Sequence, residues 1–152
     1  MATRKAAYPP GTWVLLALLA GKRHSLTPVE LQKTLFLLGA RRSKEVGEGF
    51  YRFEPYDYGP FAVDVYRDAD RLAADGLVAV DLSMGKSLRQ YRLTAAGLAR
   101  AKELAGKVPE RALAYLREVV AWAQSLSFNE LVRAIYEAYP KMRARSVFRD
   151  PA

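Results

Sequence analysis

Four aromatic residues, Tyr51, Phe53, Tyr56 and Tyr58, stand within eight consecutive positions and lead into Gly59-Pro60-Phe61. Their rings offer large apolar area at low conformational cost, and tyrosine adds a polar tip. Such a cluster suits a surface that receives a segment of a protein partner. The plainer assignment is an aromatic lid, with the rings packed over the next helix, Gly59 turning the backbone and Pro60 opening that helix. Asp57 would then cap the helix or neutralise a neighbouring arginine.

A second set is basic. Arg67 and Arg71 fall on the helix after Pro60, and Lys86, Arg89 and Arg92 surround a downstream glycine turn. Cations so grouped suit the phosphates of DNA, with Arg67 and Arg71 nearest the base edges and Arg4, Lys5, Lys22 and Arg23 as a supporting arm. The helix argues against itself, because Asp64, Asp68, Asp70 and Asp75 outnumber its two arginines. Arg67 and Arg71 suit ion pairs with these carboxylates at helical spacing equally well.

Catalytic chemistry finds little support. His24 is the one histidine and sits in a basic loop, where a solvated side chain is the simpler assignment. No cysteine is present, which removes thiolate nucleophiles, thiolate metal sites and disulfides together. No nucleophile elbow, zinc helix or phosphate loop occurs. The expectation is a protein that is not an enzyme, with no catalytic residues, no cofactor and no metal.

The chain has 152 residues, 51% hydrophobic and 26% charged, which suits one folded domain over 1–152. A net charge of +8 points to an anionic partner, nucleic acid above all, or to a merely basic surface. The longest apolar run, Trp13 to Ala20, is far short of the roughly 20 residues that cross a bilayer. No membrane partner is expected, and a reducing cytoplasm fits the absence of cysteine.

The elements follow from local signals. The apolar run reads as a buried helix ended by Gly21. Thr27, Pro28 and Glu30 form a capping box for a second helix, with Leu31, Leu35 and Leu38 as its stripe and Gly39 as its end. Phe36 and Leu37, off that stripe, imply a second covered face. A short extended piece is expected at Phe50–Phe53, and a third helix from about Pro60 to Ala74, with Phe61, Val65, Ala69 and Leu72 inward. Leu77–Val80 and Gln90–Leu93 read as a hairpin around Gly85. Thr94 caps a fourth helix, Pro109 opens a fifth, and Ser127 with Glu130 caps a sixth that ends at Pro140. Trp122 broadens the apolar face of the fifth helix, for packing on the first and sixth or for a homodimer seam through the C-terminal helices.

This order is mainly α (α+β): a winged helix-turn-helix with a two-stranded β-wing over about 10–106 and an extra helical pair over about 108–140. Asp75-Gly76-Leu77-Val78, then Tyr91-Arg92-Leu93-Thr94-Ala95-Ala96-Gly97, resembles the wing of many prokaryotic winged-helix regulators. Tyr51 to Phe61, with its Tyr-Asp-Tyr-Gly-Pro motif, is similar to the prokaryotic YwgA-type family. It is more distantly similar to the SocA/Panacea antitoxin domain, which carries a Gly-Pro before the corresponding helix. Leu131, Ile135, Tyr136, Tyr139, Pro140 and Ser146 extend the first likeness. The resemblance implies a winged-helix-like fold, a role in regulation or toxin neutralisation, and no catalysis.

Overall fold

The computed structural model describes residues 6–82 and 89–148. Among these the chain is mainly helical with a small antiparallel sheet. Helix α1 (Thr12–Ala20) carries no charge, and its residues Thr12 to Leu18 are all buried, as an apolar-all-round helix requires. Around it pack α2 (Pro28–Arg41), α5 (Ala95–Ala105) and α6 (Glu110–Gln124). A short helix α3 (Ser43–Val46) follows α2, α4 spans Val63–Ala74, and α7 spans Phe128–Ala138.

Strand β1 (Ser25–Leu26) pairs with β5 (Arg89–Leu93), which pairs in turn with β4 (Val78–Leu82), giving the order β1-β5-β4. Burial alternates along β5, with Tyr91 and Leu93 inward and Gln90 and Arg92 outward. The expected turn at residues 83–87, Lys86 included, lies outside the described residues. So do Arg4 and Lys5.

Both capping boxes form as their sequences require. Thr27 Oγ1 accepts from the Glu30 amide at 3.2 Å while Glu30 Oε1 accepts from the Thr27 amide at 2.9 Å. Ser127 and Glu130 repeat the exchange at 3.2 and 2.8 Å. Thr94 Oγ1 accepts from the Gly97 amide and donates to the Gly76 carbonyl, tying α5 to the end of α4. That tie brings the backbones very close. A Cβ on Gly97 would stand 1.8 Å from the Leu77 carbonyl oxygen. Gly97→Ala should therefore destabilise the protein by about 3 kcal/mol, at the upper end for overpacking against backbone. Urea unfolding at neutral pH measures this, and a loss below about 1 kcal/mol would show that α5 can slide.

Several boundaries differ from those read in the sequence. Helix α2 passes through Gly39 to Arg41, because Gly39 is the helix residue against which the Phe50 ring packs; a Cβ there would lie 2.6 Å from that ring. Phe50–Phe53 is irregular, and the extended segment is instead β2 (Glu54–Tyr56), paired with β3 (Gly59–Phe61). Pro60 is therefore a strand residue and does not open α4, which starts three positions later without a side-chain cap from Asp57 or any other residue. Phe61 is half-buried in that strand, whereas Val65, Ala69 and Leu72 face inward as expected. The α6 stripe packs on α1 and α2, and Trp122 remains 37% exposed. No described helix is long and apolar enough to cross a membrane.

Candidate interaction surface

The β2–β3 hairpin is built from residues that cannot hold it by themselves. Pro55 faces Pro60 across the pair, so neither supplies an amide to the ladder. Docking on α2 replaces those bonds. The Gln32 side-chain amide, 2% exposed, donates to the Ala62 carbonyl at 3.0 Å and accepts from the Ala62 amide at 2.9 Å. Next to it Lys33, 3% exposed, donates from Nζ to the Pro60 carbonyl at 3.3 Å. Burial pushes this ammonium down to about 8. Gly59, at φ 106°, adopts a conformation that side-chain-bearing residues rarely take, and it lies over Lys33 and Tyr136.

With its inner edge fixed, the hairpin turns its rings outward. Tyr56 is 46% exposed and stacks on Phe61 with centroids 4.9 Å apart. Phe61 meets Tyr66 of α4 edge-on, and Tyr66 leans on Tyr91 of β5. Tyr58 is 43% exposed and meets Phe128, the first residue of α7, at 5.2 Å. Phe128 is itself 44% exposed. Beside it opens a groove of about 500 Å³ walled by Val29, Tyr66, Leu126, Phe128 and Leu131, with Arg89 at its rim.

The four aromatics singled out in the sequence thus divide in two. Tyr56 and Tyr58 reach solvent. Tyr51 and Phe53 are half-buried: Tyr51 donates its hydroxyl to Asp68 of α4, and Phe53 meets Phe36 edge-on. Burial and then the Asp68 hydrogen bond push the Tyr51 phenol well above the usual range. Tyr51 and Phe53 fasten the loop, Tyr51 on α4 itself, while Tyr56 and Tyr58 are carried outward on the hairpin. Phe128 and Tyr66 belong to the same surface and the Gln32–Lys33 pair lies buried beneath it; the sequence marks none of them. The signal for the pair was weak, since two polar residues flanking a leucine stripe read as a solvated face.

Among the described residues, the basic set is divided. Arg67 pairs with Asp64 at 3.1 Å on exposed α4, and Arg92 Nε lies 2.8 Å from Asp81. Arg71 is exposed and, among the described residues, makes no ion pair; it lines a cleft with Asp64 and Asp68. Arg89 shares the strand parity of Tyr91, so Arg89 and Arg92 leave β5 on opposite sides. Val63, Asp64, Arg67, Asp70 and Arg71 are all exposed. His24 is half-buried, with Nδ1 3.0 Å from the Leu19 carbonyl at the end of α1.

Neither a scan against protein-family models nor searches of curated proteins and solved structures finds a match to this chain.

Proposed function

We propose that this protein is a non-catalytic interaction module that holds a segment of a partner protein against Tyr56, Tyr58 and Phe128. The observation that carries this reading is the pairing of exposed rings with a rigid backing. Three large rings stand 43–46% exposed in one neighbourhood, and the hairpin bearing two of them is pinned by buried Gln32 and Lys33. Rings held in place before contact lose little entropy on binding, and clustered exposed aromatics are where binding energy concentrates. The likeness of the Tyr-Asp-Tyr-Gly-Pro segment to the YwgA-type and SocA/Panacea families supports a regulatory or antitoxin role for such a module, in the cytoplasm.

Co-expression with the product of the adjacent gene tests this. Capture of that product should fall at least tenfold in Tyr58→Ala and in Phe128→Ala while thermal unfolding shifts little, as exposed positions allow. Undiminished capture by both variants would sink the reading.

A second reading keeps DNA as the partner. The strand arrangement β1-β5-β4 behind α4 and the net charge of +8 are what a winged helix on DNA would also have, and they support this reading. Lys86, Arg89 and Arg92 would then meet phosphates, with Arg67 and Arg71 nearest the base edges. Asp64 and Asp81 already neutralise two of them, which is why the first reading is preferred. Trp122 offers a homodimer seam in either case.

A further inference from the structure

The groove of about 500 Å³ beside Phe128 lies between the first turns of α2 and α7, helix α4 and strand β5. Its floor reaches the core, because Tyr91 and Leu131 line it and are each only 1% exposed. Val29, Leu126 and Phe128 supply apolar walls. A concave site of this volume, apolar with a few polar groups at one end, is the usual form of a small-molecule site.

The polar end carries one sign of charge. Arg89 leaves β5 on the same side as Tyr91, and Tyr66 of α4 leans on Tyr91 with centroids 6.2 Å apart. Burial raises both phenols, Tyr66 to about 12, so at neutral pH both keep a proton to donate. The Arg89 charge acts on both in the opposite direction, as a guanidinium close to the two hydroxyls does. Glu30, the acid in the wall, is already engaged by the Thr27 amide in its capping box. Asp70, whose charge reaches Tyr91, is not among the lining residues. Among the described residues Arg89 makes no ion pair, whereas Arg92, on the opposite face of the same strand, is matched by Asp81 at 2.8 Å. Of these two arginines, the one beside the groove is the one without a counter-charge.

We propose that this groove binds a small aromatic monocarboxylic acid, with its ring between Val29, Tyr66 and Phe128 and its carboxylate on Arg89 and the Tyr91 hydroxyl. A guanidinium fork matches a carboxylate, and the phenol adds a donor to the same anion. An amine of the same shape would meet Arg89 as a like charge, and a neutral ring would leave that cation unmatched. The site goes beyond the docking of a protein partner and does not depend on it, sharing only Phe128 as a wall.

Cinnamate is the probe, with cinnamamide as the isostere that keeps the ring and loses the charge. Each is titrated into the isotope-labelled full chain and followed by amide chemical shifts. Shifts should gather at Val29, Tyr66, 89–91 and 126–131, and the acid should bind about tenfold more tightly than the amide, as a charge-assisted hydrogen bond gives. Arg89→Gln should bring the acid down to the affinity of the amide. Arg92→Gln, which removes the same charge from the opposite face, should leave both affinities unchanged. Val29→Trp should fill the groove and abolish binding of both compounds; should it fail to fold, Leu126→Trp serves in its place. Equal affinity of acid and amide, shifts gathered elsewhere, or no binding at millimolar concentration would each overturn the proposal. So would equal losses in Arg89→Gln and Arg92→Gln, the mark of unspecific attraction to a chain of net charge +8. No binding of either compound, with partner capture lost in Val29→Trp, would give the groove to a protein side chain instead.

Discussion

Replacing Gln32 by leucine should lower the free energy of unfolding by about 3 kcal/mol, since each stranded buried backbone group costs ~1–3 kcal/mol. Its amide is the partner of both the N–H and the C=O of Ala62, a residue 3% exposed. Leucine fills a similar volume and satisfies neither. The urea midpoint should fall with little change in slope, because the surface exposed on unfolding is almost unaltered. Partner capture should weaken as well, although Gln32 is buried beneath the surface and touches no partner. A midpoint within about 1 kcal/mol of wild type would mean that the hairpin docks by other means.

Lys33 should impose an unusual pH dependence. Its ammonium sits at about 8, below the ordinary 10.5 that it regains on unfolding. Between those values the unfolded chain holds a proton that the folded chain lacks, so stability rises with pH, by at most ~1.36 kcal/mol per pH unit. The whole gap amounts to about 3 kcal/mol. Above pH 10 the sign reverses. Tyr51, raised by burial and by Asp68, and Tyr66, pushed up to about 12 mainly by burial, keep protons that the unfolded chain sheds from 10.0 upward. Stability should therefore peak near pH 9 to 10. Lys33→Met should remove the rise and be about 2 kcal/mol more stable at pH 7, after the cost of leaving the Pro60 carbonyl unpaired. Denaturant titrations at half-unit intervals decide it. A flat wild-type curve, or a variant that keeps the rise, would contradict the buried, uncompensated charge.

The parts that the sequence made legible are those whose signals are local. Thr27, Thr94 and Ser127 announce their helices because a side-chain cap acts within three residues, and the apolar run after Gly11 announces its own burial. Phe36 and Leu37, off the leucine stripe, correctly pointed to a second covered face of α2. What escaped depends on distant partners. Pro60 reads as the opening of a helix, because nothing nearby reveals that Gln32 and Lys33 supply the bonds that a Pro55–Pro60 pair cannot. Strand β1 is two residues long and exists only by pairing with β5. Gly39 looked like a helix end, yet its role is to admit the Phe50 ring. The aromatic segment was visible as a cluster. Its division into fastening rings, Tyr51 and Phe53, and presented rings, Tyr56 and Tyr58, needed the hairpin's register.

Amide hydrogen exchange on the complex with the adjacent gene's product tests the central claim most directly. Docking on the aromatic surface predicts new protection at 54–61 and 126–131, with β4, β5 and the outward face of α4 unchanged. No protection there, together with strong protection of α4 and β5 when duplex DNA is added at low salt, would contradict it.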